Sequence, residues 1–185
     1  NFSLIKENLV LFYGENIGLQ NDFKLEIKKK YKNASYINFE QEEILKQEDI
    51  FFTEIQNISL FNEKKIFLIN NATDKILEII KNIEKKLDDQ KIFIFSNLLE
   101  KKSKLRNYFE TNKQLGIIAC YKDNEISIKK IIQNKLKDFK NLSSENINLI
   151  IDSCNLDRSK LNNELDKITS LFDNKLINNE KLKSL

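Results

Sequence analysis

The sequence predicts an α/β domain with a five-stranded parallel sheet and helices on both faces, followed by a small all-helical domain. Two observations support this prediction. Short, nearly all-apolar runs alternate with longer amphipathic segments through the first two thirds of the chain. After about residue 123 no strand-like run recurs, and the amphipathic segments follow one another directly. We therefore expect the α/β domain over residues 1–122 and the helical domain over residues 123–185.

The strands are predicted from runs that are short and rich in branched or aromatic residues, as strands buried on both faces are. They are residues 9–13, 34–39, 66–69, 92–95 and 116–120. Amphipathic segments between them predict helices over residues 19–31, 40–55, 73–87 and 98–111. Strands that alternate with helices in this way pair in parallel through right-handed crossovers.

Three further helices are predicted over residues 126–139, 143–154 and 157–172. Ser143 and Asp157 stand where helix N-caps are expected, because their side-chain oxygens can accept from the backbone one turn ahead. The first of these helices has a continuous apolar face, which core packing explains without a ligand. That face consists of Ile128, Ile131, Ile132, Leu136 and Phe139.

Composition excludes several classes of function. The net charge of +3, with 32% charged residues, describes a mixed surface without a strong polyanion footprint. Cys120 and Cys154 are far apart, form no C-x-x-C motif and have no histidine to join them, so we expect neither a metal nor a cofactor. No apolar run approaches the roughly 20 residues of a membrane span, and no signal peptide opens the chain. We therefore expect a cytoplasmic protein.

Gly14 follows the first strand, where a phosphate-binding loop with the motif G-x-x-x-x-G-K-[ST] would begin. Counted from Gly14, the second glycine, the lysine and the hydroxyl residue should be residues 19, 20 and 21. The chain has Leu19, Gln20 and Asn21 there, and Gly18 comes one position early. The ammonium that neutralises phosphate and the hydroxyl that holds magnesium are both missing.

The third strand lacks the second part of the hydrolytic machinery. It is followed by Asn70 and Asn71, where acidic residues would hold magnesium and activate water. Since neutral amides cannot act as a base, we expect no ATP hydrolysis and no catalytic residue. Passive nucleotide binding around Gly14 and Gly18 is left open, with a plain tight turn as the alternative.

Directly before the third strand lies the string Gln56-Asn57-Ile58-Ser59-Leu60-Phe61, followed by the polar residues Asn62–Lys65. It resembles the short peptides that insert into the hydrophobic pocket of a bacterial sliding clamp. In such peptides Leu and Phe fill the pocket while the amide hydrogen-bonds at its rim. We therefore expect Gln56, Ser59, Leu60 and Phe61 to bind a clamp through an exposed tip. The alternative is that Leu60 and Phe61 enter the core ahead of the strand.

Three segments together resemble one family: Leu11–Asn16, Gln56–Lys65 with Asn70–Ala72 after the strand, and Asn163–Ile168. In this order and spacing they are similar to the delta subunit of the bacterial DNA polymerase III clamp loader, an AAA+-like protein of the P-loop NTPase type. The resemblance implies a degenerate nucleotide site, in agreement with the residues at positions 20, 21, 70 and 71, and a helical lid domain. It covers nearly the whole chain.

The resemblance also implies a role and partners. The tip with Leu60 and Phe61 would wedge into the clamp and favour its opening during DNA replication. Partners would be the sliding clamp (beta subunit), the gamma/tau and delta-prime loader subunits, and primed DNA within the assembled complex. The family is grouped with the nucleotidyltransferases of DNA polymerase, although no catalysis is expected of this chain. It continues into a C-terminal helical collar, which we expect this chain to lack.

Two other classes compete with this interpretation. An ATP-hydrolysing AAA+ enzyme or helicase loader would need a lysine at position 20 and an acid at position 70 or 71. A nucleic-acid-binding module could use the basic runs Lys28–Lys30 or Lys101–Lys104 with Arg106. Such charge runs are more typical of solvated helix faces, and aromatic residues interleaved to stack bases are not evident.

Overall fold

The computed structural model describes residues 5–57, 64–87 and 90–184. Within these residues one five-stranded sheet has the order β2-β3-β4-β1-β5, and every pair of neighbouring strands is parallel. The predicted five-stranded parallel sheet is therefore confirmed. Its strands are β1 (Leu9–Tyr13), β2 (Ser35–Glu40), β3 (Lys65–Asn70), β4 (Lys91–Ser96) and β5 (Gly116–Ala119).

The apolar runs are strands because the middle of the sheet is covered on both sides. Every residue of β1 and β4 is buried, whereas the edge strands β2 and β5 are only partly buried. The aromatic rings of Phe12 and Phe95, on neighbouring strands, stack with centroids 5.0 Å apart. Burial on both faces removes the alternation of polar and apolar residues that a half-exposed strand would show.

Five helices of the described chain belong to the sheet unit: α1 (Ile17–Lys30), α2 (Gln41–Lys46), α3 (Glu48–Gln56), α4 (Leu77–Glu84) and α5 (Lys104–Thr111). The predicted single helix over residues 40–55 is wrong, because Gln47 leaves helical geometry with φ −139° and ψ 56° and separates α2 from α3. The helix predicted over residues 98–111 begins only at Lys104, where the Ser103 side chain accepts from the backbone N–H of Arg106.

The second group of helices is α6 (Glu125–Lys135), α7 (Ser144–Cys154), α8 (Arg158–Leu171) and the short α9 (Asn179–Lys183). Ser143 and Asp157 cap α7 and α8 as predicted. Ile128 and Ile132 of α6 pack with Leu161 of α8 in a core of their own. The short α9 was not predicted from the sequence.

Two compact units can be distinguished in the structure. One comprises Gln20–Tyr121 with the chain before Asn16, and the other comprises Lys122–Leu185 together with Asn16–Leu19. The start of α1 is therefore grouped with the helical unit, although the rest of that helix covers the sheet. None of the helices in the described ranges combines the length and apolarity needed to cross a membrane.

Candidate functional site

Gly14 ends the first strand at the carboxyl edge of the sheet, where ligands of open parallel sheets gather. Its φ is 141°, and its N–H donates to the carbonyls of Ser96 and Asn97, both at 3.3 Å. A Cβ at this position would lie 2.1 Å from the carbonyl oxygen of Cys120. Glycine is therefore required here both by the backbone conformation and by the close approach of the chain after β5.

Gln20 occupies the position at which the loop motif calls for lysine, and its side chain points inward. It is only 5% exposed. Its Nε2 donates to the carbonyl of Gly14 at 3.0 Å and to that of Ser96 at 2.9 Å. Both N–H groups of the amide are thus used within the protein. Asn21, the next residue, is exposed on α1.

Asn70 and Asn71, at the end of β3, also have partners within the protein. Asn70 Oδ1 accepts from Lys24 Nζ at 2.8 Å, and this ammonium lies 4.5 Å from the ring centroid of Phe95. Burial lowers the pKa of Lys24, although the nearby Glu40 carboxylate opposes the shift. Asn71 has a left-handed backbone (φ 54°) and donates to Glu40 at 2.8 Å. Neither asparagine supplies a carboxylate for magnesium or a base for water.

In the helical unit, Asp123 is the centre of a buried polar cluster. Arg158 donates to its two oxygens at 2.7 and 2.6 Å, Ser127 at 2.7 Å and Asn16 at 2.8 Å. Burial alone would raise the pKa of Asp123, but the hydrogen bonds from these three side chains outweigh it and hold the pKa below its usual value. Asn16 also caps the start of α1, since its Oδ1 accepts from the N–H of Leu19 at 2.9 Å.

Gly18 lies in the same unit and permits a close contact rather than a turn. A Cβ there would be 2.7 Å from the backbone nitrogen of Ser159 and 2.8 Å from Cβ of Arg158. The first turn of α1 therefore packs against the first residues of α8. Sequence reasoning missed the Asp123 cluster, because Asn16 lies 107 residues from Asp123 in the chain and Arg158 lies 35 residues from it.

The predicted clamp-binding string lies partly outside the described residues. Gln56 is the exposed last residue of α3, whereas Ser59, Leu60 and Phe61 belong to the part that the structure does not describe. Both ends of this segment are attached to the amino edge of the sheet. Lys65, the first residue of β3, forms an ion pair with Glu54 of α3 at 2.8 Å.

The two cysteines, Cys120 and Cys154, are both buried. Over the described residues no group of three or more metal-ligating side chains is found. The described residues therefore form a carboxyl edge whose amide side chains are hydrogen-bonded and an amino edge at which α3 ends and β3 begins.

The strand order and the following helices define an AAA+-like fold, as predicted. The structure is similar to the DNA clamp loader delta protein YqeN of Bacillus subtilis, with a TM-score of 0.67 and 16% identity. It is also similar to a RuvB variant from Thermotoga maritima, with a TM-score of 0.53 and 13% identity. Both likenesses cover 96% of this chain, which spans 57% and 60% of those proteins. The sequence matches no protein-family model and no curated protein.

Proposed function

We propose that this chain is the clamp-binding part of a clamp-loader delta subunit, with an α/β domain over residues 1–122 and a helical lid over residues 123–185. The observation that carries the proposal is the likeness to a clamp loader delta protein over 96% of the chain. The likeness to RuvB covers as much of the chain but has a lower TM-score. The order of motifs from Leu11 to Ile168 supports the same choice independently.

The contact with the clamp is made by the segment after α3. In this proposal Leu60 and Phe61 fill a hydrophobic pocket of the clamp, while Gln56 and Ser59 hydrogen-bond at its rim. The exposure of Gln56 supports this role. So does the attachment of the segment's ends, because Gln90 donates to the carbonyl of Ile55 at 3.2 Å beside the Lys65 ion pair with Glu54. A tip held at both ends loses less entropy on binding than a free peptide.

Clamp opening follows if the segment binds an opened clamp better than a closed one, because a ligand shifts an equilibrium only by its differential affinity. The proposed partners are the sliding clamp, the gamma/tau and delta-prime subunits, and primed DNA in the assembled loader. The chain itself hydrolyses no ATP in this proposal. Support comes from the hydrogen bonds of Gln20, Asn70 and Asn71, which use these side chains within the protein.

The test is the double substitution Leu60→Ala/Phe61→Ala, with affinity for the sliding clamp of the same organism measured by calorimetry. Burying each side chain is worth about 1.5 to 3 kcal/mol. We therefore expect a loss of about 3 to 6 kcal/mol, or about 10² to 10⁴ in affinity. The matched control is Leu25→Ala/Leu98→Ala, which removes two side chains that are 56% and 54% exposed in the same unit.

The control should bind the clamp like the wild type, and all variants should unfold at similar temperatures. Unchanged affinity of Leu60→Ala/Phe61→Ala would contradict the proposal. A large loss of stability would instead place the pair in the core. Magnesium-dependent ATP turnover by the pure protein, abolished by Gln20→Ala, would favour the competing ATPase class.

A further inference from the structure

A basic groove lies at the amino edge of the sheet, beside the last turn of α1. Its volume is about 530 Å³, and none of its described lining residues is acidic. The amino edge is also where β3 begins and where the segment after Gln56 rejoins the sheet. We call this feature the lysine groove, and its charged and aromatic lining residues are Lys29, Lys30, Lys32, Lys64 and Tyr31.

Three of the four lysines of the lysine groove have no carboxylate partner in the described part of the chain. Lys29, Lys32 and Lys64 are exposed and form no ion pair with any residue that the structure describes. Burial lowers the pKa of the nearby Lys91, and the charges of Lys64 and Lys30 lower it further, with only Glu7 opposing. The field of the groove therefore extends to the amino end of β4.

The contacts of Tyr31 indicate which kind of ligand the lysine groove suits. The ammonium groups of Lys30 and Lys64 lie 5.6 and 5.7 Å from the centroid of its half-buried ring. The ring also packs on Phe93, at 6.4 Å between centroids. The aromatic surface is thus used to hold ammonium groups rather than presented to a nucleobase. The groove offers several directed positive charges, which suit a row of carboxylates.

We propose that the lysine groove is a second contact with the sliding clamp and binds an acidic segment of the clamp's surface. This inference rests on the proposed function. Lys64 follows Phe61 after only two residues, Asn62 and Glu63, so a clamp that takes the tip also lies close to the groove. Charges at the rim of an apolar contact speed association and fix its orientation more than they add affinity.

The test is Lys32→Glu/Lys64→Glu, with clamp affinity and association rate measured at about 0.05 M and about 0.5 M salt, where exposed charges are weakly and strongly screened. We expect an affinity loss of about tenfold or more at low salt, carried mostly by the association rate. At high salt the loss should largely disappear. The matched control, Lys75→Glu/Lys101→Glu, makes the same charge change at exposed lysines that follow β3 and β4.

The possible results are distinguishable. If the wild type fails to bind the clamp, the proposed function fails and this inference with it. If the wild type binds and Lys32→Glu/Lys64→Glu behaves like the control at both salt concentrations, only the inference is overturned. A variant that loses affinity for a primed DNA oligonucleotide but keeps clamp affinity also overturns it. Lys32→Ala/Lys64→Ala repeats the comparison if charge reversal impairs folding.

Discussion

The polar side chains at the two edges of the sheet differ in whether they have partners within the protein. At the carboxyl edge Gln20, Asn70 and Asn71 donate to or accept from groups of the same unit. At the amino edge Lys32 and Lys64 extend from the surface without an acidic partner among the described residues. In a parallel sheet the carboxyl edge is the usual place for a ligand. Here it is the amino edge that has charged groups without a carboxylate partner in the described chain.

The difference teaches that polar groups at the usual binding edge of a parallel sheet can serve the fold instead of a ligand. A buried polar group must be hydrogen-bonded, and the protein's own amides meet that requirement when phosphate does not. Exposed lysines carry no such requirement, so they remain available to a partner. Substitutions at the buried polar groups should therefore reduce stability, and substitutions in the lysine groove should reduce binding.

The largest effect on stability is expected for Asp123→Asn. The substitution removes the carboxylate that accepts two hydrogen bonds from the Arg158 guanidinium, whose side chain is 13% exposed. We expect a loss of about 3 kcal/mol near pH 7 and a melting temperature lower by about 6 to 12 °C. Thermal denaturation checks this result. Asp166→Asn, which breaks the exposed pair with Lys135, is the matched control and should have little effect.

The same variant has a pH signature. The folded pKa of Asp123 lies below its unfolded value of about 4, so its stabilising effect is complete above that value. The effect is lost as the pH falls through the folded pKa. Wild type and Asp123→Asn should therefore converge in stability as the pH is lowered below about 4. A constant difference down to acid pH would contradict this account of the cluster.

A smaller loss is expected for Gln20→Leu at the carboxyl edge. The carbonyls of Gly14 and Ser96 would both lose the hydrogen bond from Gln20, and Ser96 would keep the one from the N–H of Gly14. Losing these bonds in a buried site costs about 2 kcal/mol. Clamp affinity should be unchanged, since the edge is structural. Chemical denaturation measures the stability, and Asn21→Leu, at the exposed neighbouring position, provides the control. Equal stability of the two variants would show that the Gln20 hydrogen bonds contribute little.

The smallest effect on stability is expected for Lys32→Ala/Lys64→Ala in the lysine groove. Because these side chains are exposed, the free energy of unfolding should change by less than about 0.5 kcal/mol. Removing like charges favours a slight gain at low salt, which salt should screen. Melting curves at two salt concentrations, beside Lys75→Ala/Lys101→Ala, measure this. A clear loss of stability would mean that the groove serves the fold rather than a partner.

The sheet could be predicted because its central strands are buried on both faces, which leaves short, nearly all-apolar runs in the sequence. The break at Gln47 could not, since no glycine or proline marks it. Its flanking residues favour helix, so no local signal predicts the break. The N-caps Ser143 and Asp157 were predictable because a cap acts over a single turn.

The candidate site also has features that the sequence predicts and features that it does not. The missing lysine and acids at residues 20, 70 and 71 are local features that a motif reveals. The partners that these side chains take instead depend on which strands become neighbours, and this is not visible in one segment. The run Lys28–Lys30 was interpreted as a solvated face for the same reason. Lys64 lies with Lys30 at the ring of Tyr31, but it is distant in the chain, so the sequence does not show that the two charges meet.

The two hydrogen bonds of Gln20 have a consequence for how such a chain changes over evolution. Gln20→Lys alone would give up two buried amide donors before any phosphate-binding partner was in place. An acid at position 70 would keep Lys24 as an ion-pair partner, so a metal would have to compete with that ammonium for the carboxylate. The substitution at position 20 therefore passes through a less stable protein with no new activity. A phosphate-binding lysine at position 20 is therefore hard to introduce by a single substitution.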